Sequence, residues 1–257
     1  MAPKDIRSLM AGRITKVATT PSTTTKASLS TSTETKVLKD IASGSSFASR
    51  WKIIGTHLIH NLPSKSYIIK NFKEEIKIAA FDLDGTLIDT KSGRKFAISS
   101  HDWKWWTRST KDSSSQILTK LNKLIEEKYL IVIFTNQGGV VANPSNKSYN
   151  NFIERVNLII STIKSSIKED NTEILVFASP KKPAKETNTK SHELMRKPNT
   201  GMWKELLSYL GNEAKIDVTN SFYVGDAAGR AKDFSDSDLK FAQNIGITNF
   251  KTPEEFF

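Results

Sequence analysis

The apolar run Ile76-Lys77-Ile78-Ala79-Ala80-Phe81 opens directly onto Asp82-Leu83-Asp84-Gly85-Thr86-Leu87. Two carboxylates one residue apart at a strand end point the same way, and the glycine after them lets the chain turn sharply aside. One carboxylate can attack phosphorus while its neighbour handles the proton of the leaving or entering oxygen. A phosphate dianion approaching such a pair is repelled, so this chemistry calls for a magnesium ion. A bare Asp-x-Asp would more often be a turn, but the whole string FDLDGTL behind a buried strand is far more specific.

Three further segments carry groups suited to the same reaction. Leu130-Ile131-Val132-Ile133-Phe134 leads into Thr135-Asn136-Gln137-Gly138, where a hydroxyl, an amide and backbone N–H groups can bond phosphoryl oxygens. Lys197 lies in Arg196-Lys197-Pro198-Asn199-Thr200-Gly201, just ahead of an amphipathic segment, and its ammonium can offset charge on both the attacking carboxylate and the phosphoryl group. Ser221-Phe222-Tyr223-Val224 ends in Gly225-Asp226, and an acid there is a hard oxygen ligand for magnesium.

The elements that must position these groups follow from the hydrophobic pattern. Strands are predicted over 76–81, 130–134, 173–178, 221–225 and near 247–250, and helices over 114–128, 147–168, 200–210 and 237–244. Upstream, Thr56–His60 and Tyr67–Ile69 read as two short strands joined by a turn at Pro63. Short apolar runs alternating with amphipathic segments predict an α/β fold, mainly parallel, with helices flanking the sheet. In such sheets ligands bind beyond the carboxyl ends of the strands, which is where all four segments fall.

The chain has 257 residues and no cysteine, so neither disulfides nor Cys-bound zinc can hold it together. No apolar run approaches the roughly 20 residues that span a bilayer. Lys plus Arg total 38 against 27 Asp plus Glu, a formal charge of +11 that favours polyanionic partners. Residues 1–50 hold 8 basic and 3 acidic residues, so about half the excess lies in the remainder. Between Thr19 and Thr35, 12 of 17 residues are Ser or Thr, and residues 1–50 are expected to form a disordered basic tail ahead of one domain over 51–257. Ile6, Leu9, Met10 and Ile14 with Arg7, Arg13 and Lys16 suggest a nuclear or mitochondrial address, although Asp5 interrupts the pattern; nucleus is the first expectation and mitochondrion the alternative.

Taken in order, FDLDGTL, Thr135, Lys197 with its proline, and Asp226 resemble the four motifs of the haloacid-dehalogenase superfamily of phosphohydrolases. The resemblance implies a Rossmann-like core in which Asp82, Asp84, Thr135 and Lys197 are catalytic. It also implies magnesium bound by Asp82, Asp84, Asp226 and a second acid of the fourth motif. At the usual spacing for that acid stand Gly229 and Arg230; Asp238 restores the pattern after an insertion, with Asp233 and Asp236 as rivals. The segments 90–113 and 135–197 look too short, or too much like core, to build a large cap, so the site is expected to be open.

Narrower strings, SGRKF with HDW, TNQGG, RKPNTGMW, YVGDAAGR and the closing KTPEEFF, resemble the phosphatase domain of the polynucleotide kinase 3′-phosphatase family from about Trp51 to Phe257. That likeness implies removal of 3′-phosphates from DNA strand-break ends in repair, through an aspartyl-phosphate on Asp82 with Asp84 as acid and then base. No GxxxxGK[ST] occurs, which predicts the stand-alone phosphatase form without 5′-kinase activity, acting as a monomer. Basic and aromatic residues flank the motifs: Arg94 and Lys95 with Trp103 after the first, Lys181, Lys182 and Arg196 before the third. With Asn136 they are the expected DNA contacts, cations following the phosphate backbone and a ring stacking a terminal base. The tryptophans can equally be core plugs. Two rival readings remain: a small-molecule phosphomonoesterase, and a non-catalytic DNA-end binder. His57 and His60 are expected in a strand facing opposite sides, and His101 and His192 at the polar surface.

Overall fold

The computed structural model describes residues 46–108, 115–167, 171–187 and 189–257. The Ser/Thr-rich tail up to residue 45, the start of the predicted helix at 114 and the end of the one at 168 lie outside these described residues. Phe47, ahead of the expected boundary, is already part of the core: it is buried, accepts a hydrogen bond from Asn61 at its carbonyl and meets Trp51 edge to face.

A seven-stranded sheet runs in the order β1-β2-β7-β6-β3-β8-β9, formed by Trp51–Ile54, Leu58–Asn61, Ile174–Pro180, Leu130–Gln137, Ile78–Phe81, Phe222–Val224 and Phe250–Lys251. The last five in that order are parallel to their neighbours, while β1 and β2 add an antiparallel hairpin at the β7 edge. Successive residues of the central strands serve opposite cores, as the strand period of two requires. Ala79, Phe81, Ile131, Ile133 and Val224 pack with Ser115–Glu126 and Lys147–Ser166 on one face. Ile78, Ala80, Val132, Phe134 and Tyr223 pack with Gly201–Leu210 and Ser237–Asn244 on the other. Burial on both faces is why these strands read as continuous apolar runs.

The upstream expectation is corrected. Tyr67–Ile69 is not a strand but part of a helix, Lys65–Asn71, and the hairpin partner of β2 is Trp51–Ile54. Ile68 inserts beneath the sheet beside Ile76 and Ile78, and this packing outweighs the β preference of three bulky residues. The segment after Asp84 forms a small second sheet, β4 (Ile88–Asp89) with β5 (Lys104–Trp105). The intervening loop is gathered by Asp102, whose carboxylate accepts from the Ser92 amide and hydroxyl and the Ile98 amide. No helix among the described residues is long and apolar enough to cross a membrane.

Candidate active site

Asp82 directly follows β3, Thr135 sits near the end of β6 and Asp226 lies two residues past β8, so three adjacent parallel strands deliver their polar residues to one edge of the sheet. Lys197 enters from the loop between the Thr189–Met195 and Gly201–Leu210 helices, and Asp238 from the first turn of the Ser237–Asn244 helix. Lys197 is 4% exposed, and its ammonium lies 2.5 Å from Asp82 Oδ1 and 2.7 Å from Asp238 Oδ1. It also donates to the Phe134 carbonyl at 2.7 Å and meets the Tyr223 hydroxyl at 2.9 Å. A buried ammonium is tolerable only with such a full set of partners.

Two glycines make the convergence possible. A Cβ on Gly85, whose φ is +83°, would lie 2.5 Å from Asp226 Oδ2, and one on Gly225 would lie 2.6 Å from the Asp238 carboxylate. Any side chain at either position would push the acids apart.

The electrostatics of the cluster are unbalanced. Asp82, Asp226 and Asp238 bring carboxylate oxygens within 4.8 Å of one another, against, among the described residues, the single ammonium of Lys197. Burial, followed by the charge of Asp238, pushes the Asp226 carboxyl up to about 7 in the absence of a cation. Burial likewise raises Asp82, with Lys197 opposing and the other two acids adding to the rise. Burial disfavours the Lys197 charge, but Asp238 and Asp82 more than offset it and hold the amine above its ordinary range. A set of hard oxygen donors short of positive charge fits a divalent cation such as magnesium. Asp226 is the open ligand of the three. Asp238 has Oδ1 bonded by Lys197 and Tyr223, while Oδ2 accepts from the Ala227 amide and keeps a lone pair that a cation can use.

The choice among the three later acids is settled by geometry. Asp233 folds its own loop, accepting from the Ala228 and Arg230 amides and the Arg230 side chain. Asp236 pairs with Lys240 one helical turn on. Asp238 alone of the three joins the cluster.

Asp84 stands apart from the Lys197 network. Its Oδ2 accepts from Gln137 Nε2 at 2.6 Å, and its Oδ1 lies 3.2 Å from Arg155 Nη1. Gln137 also donates to the buried Thr135 hydroxyl at 2.8 Å. The sequence places Thr135 and its neighbours just beyond a strand, but β6 continues through Gln137, paired with β7 as far as Pro180. Alternation then sends Thr135 and Gln137 to one face and Asn136 to the other. Asn136 is accordingly spent on the backbone of Lys197, accepting from its N–H and donating to its carbonyl. Asn136 thus places the lysine loop.

The expected DNA contacts divide similarly. Trp103 is partly buried against the core and meets Trp105 edge to face at 5.3 Å, so it plugs the base of its loop. Arg94, Lys95, Lys181, Lys182 and Arg196 are all exposed. Lys181 and Lys182 directly follow β7, and the Arg196 guanidinium lies about 3.5 Å from where a Gly138 Cβ would be, past the end of β6. These belong to the same edge of the sheet as the site. The open aromatic faces belong instead to Phe96 and Phe234, 62% and 72% exposed, with the Lys95 ammonium within 6 Å of both rings, at 5.8 and 5.7 Å. His192, expected at the surface, is buried, its Nε2 3.0 Å from the Thr56 hydroxyl.

Five contributors escaped the sequence reading. Gln137 could have been found from the strand period two residues beyond Thr135. Arg155 interrupts the apolar stripe of Tyr149, Phe152, Val156, Ile159 and Ile163, and a cation at a core-facing position is itself a signal. Tyr223, Phe96 and Phe234 gave none, since their surroundings depend on distant loops.

A parallel α/β sheet with a buried lysine bridging carboxylates beyond its strand ends defines the class: this is a phosphoric monoester hydrolase with a haloacid-dehalogenase-like fold. A phosphatase of that type from Mesorhizobium loti shares the fold, with a TM-score of 0.50 and 17% identity over 76% of this chain and 78% of its own. Residues 77–257 match the polynucleotide kinase 3 phosphatase family, and the chain belongs to it. Its relatives include a polynucleotide 3′-phosphatase of Saccharomyces mikatae, 32% identical over 78% of this chain and 92% of its own. A bifunctional polynucleotide phosphatase/kinase of Schizosaccharomyces pombe is 39% identical over 74% of this chain, and the match spans 40% of that longer relative.

Proposed function

We propose that this protein is a magnesium-dependent polynucleotide 3′-phosphatase that clears 3′-phosphates from DNA strand-break ends during repair. The observation that carries the reading is the buried Lys197 ammonium tying Asp82 to Asp238 at the sheet edge, beneath a rim of exposed cations and aromatic rings. The names of the matched relatives support a polynucleotide as substrate.

In this reading Asp82 attacks phosphorus in line, forming an aspartyl-phosphate as the bond to the 3′-oxygen breaks. Asp84 gives its proton to the departing oxygen, then accepts one from the water that attacks the acyl phosphate and regenerates Asp82. Lys197 keeps Asp82 in place and offsets charge building on the phosphoryl oxygens, toward which the Thr135 hydroxyl is a further donor. Asp82, Asp226 and the main chain of Asp84 would hold magnesium, with Asp238 adding charge, and the ion would screen the acids from the phosphate dianion. At the rim, Phe96 and Phe234 offer stacking faces to terminal bases while Lys95, Lys181, Lys182 and Arg196 meet the phosphate backbone.

The test is release of inorganic phosphate from defined 3′-phosphorylated single-stranded, nicked and blunt DNA, with and without magnesium, beside small phosphomonoesters. Oligonucleotides should be preferred, magnesium required, and Asp82→Asn should abolish turnover while DNA still binds. A preference for the small ester, or full activity in Asp82→Asn, overturns the proposal.

A further inference from the structure

Arg155 lies in the middle of the Lys147–Ser166 helix, between Phe152 and Ile159 on the face that packs against the sheet. Its side chain is only 6% exposed. An aliphatic residue would fill that interface without the desolvation penalty of a guanidinium, so the charge calls for a use beyond packing. Its Nη1 lies 3.2 Å from Asp84 Oδ1, and its Nη2 donates to Gln137 Oε1 at 3.4 Å. Gln137 turns its Nε2 to the other Asp84 oxygen at 2.6 Å and to the Thr135 hydroxyl at 2.8 Å. Both oxygens of Asp84 are therefore held from behind by protein donors, while the side chain remains 41% exposed on its other side.

We propose that Arg155 and Gln137 form a positioning fork that fixes the carboxyl plane of Asp84 and, through Gln137, ties it to the Thr135 hydroxyl. The inference rests on the reading of Asp84 as the proton-transfer group. Asp84 sits in a turn, and a carboxyl that must reach a leaving oxygen and then a water on the same phosphorus needs its plane defined more tightly than a turn provides. Two donors at a fixed angle supply that constraint. The single amide of Gln137 sets the distance between the proton-transfer group and a hydroxyl aimed at the phosphoryl oxygens. Neither residue touches the reacting atoms; Arg155 acts through Asp84, and Gln137 through Asp84 and Thr135.

The experiment is a double-mutant cycle read in single turnovers on a 3′-phosphorylated oligonucleotide. Arg155→Met should lower kcat about 10- to 100-fold with KM changed less than about threefold, the penalty of a proton donor held slightly out of place. In an Asp84→Asn background the same substitution should cost nothing further, because the group it positions has lost its function. A second arm uses p-nitrophenyl phosphate, whose leaving group departs without a proton. There the first phosphoryl transfer should proceed at close to its normal rate, leaving a burst of nitrophenolate followed by slow turnover. Arg155→Lys, which keeps the charge but loses the planar two-donor geometry, carries the same cycle if Arg155→Met fails to fold. A loss that persists in full in the Asp84→Asn background, or a change confined to KM, overturns the fork. Wild-type activity in Asp84→Asn would instead overturn the underlying reading, whereas an inactive Asp84→Asn beside an unimpaired Arg155→Met would sink the fork alone.

Discussion

At the carboxyl edge of the sheet, the floor of the site and its rim are made of different material. The floor is a set of buried charges, Asp82, Lys197 and Asp238, each held by a strand end, a helix turn or a short loop and each bonded to the next. The rim consists of solvated lysines and arginines and two exposed phenylalanines on the β4–β5 loop, on the segments after β7 and β8 and on the loop that carries Lys197. Removing one member from the floor leaves a buried charge without its partner, whereas removing one from the rim returns a loop to water. The floor should therefore respond to substitution as a unit, in stability and chemistry together. The rim should respond piecewise, in binding.

The largest effect expected from this contrast follows Lys197→Met. The variant loses the only ammonium among the described residues within bonding distance of Asp82 and Asp238, so phosphate release should fall by about 10²–10³ or more. Its melting temperature should fall as well, and fall further as pH rises and the stranded acids ionise. Steady-state kinetics and thermal melts at two pH values check both. A loss below tenfold with unchanged stability would mean the floor is no more cooperative than the rim.

The same division governs how much could be read from the sequence. Strand-end residues are legible because a buried parallel strand shows as an apolar run and its next polar residue has nowhere to go but the site. Asp82, Thr135 and Asp226 were found that way. Where the strand continues past its apolar run, the pattern understates it: β6 pairs through Gln137, which puts Asn136 on the face opposite Thr135. Asp238, twelve residues after Asp226, required the helix after it as a guide. The rim was least legible. Trp103 and Phe96 lie on one loop with equal aromatic character, and the hydrogen bonds that gather the loop on Asp102 and the packing of Trp103 on Trp105 leave Phe96 the more exposed ring.

An intermediate effect tests the charge imbalance of the floor. Without a cation, the Asp226 carboxyl titrates near 7 in the folded chain, against an ordinary value of 3.8. Between those values the folded state holds more protons than the unfolded one, so this group's contribution to stability falls as pH rises and its cost is complete above about 7. Magnesium should thus raise the melting temperature more at pH 8 than at pH 6. Asp226→Asn should remove most of that increment and, with magnesium chelated, melt higher than wild type at pH 8. Equal magnesium shifts at the two pH values would show that the ion does not relieve this acid.

The smallest effect belongs to the rim, and it sharpens the comparison within a single loop. If Phe96 and Phe234 stack terminal bases, each Ala substitution should raise KM for a 3′-phosphorylated oligonucleotide about fivefold or more, from roughly 1–3 kcal/mol per stacked base, with kcat nearly unchanged. Little stability should be lost, because both rings already face water. Trp103→Ala should do the opposite, lowering the melting temperature through lost packing against Trp105 and the core while the dependence on the terminal bases stays as in wild type. Measuring KM for oligonucleotides with and without their terminal bases separates these roles, since a stacking ring loses its influence when those bases are removed and a packing ring does not. If Phe96→Ala and Trp103→Ala shift the same parameter, the loop is one cooperative piece and the floor-and-rim division fails there first.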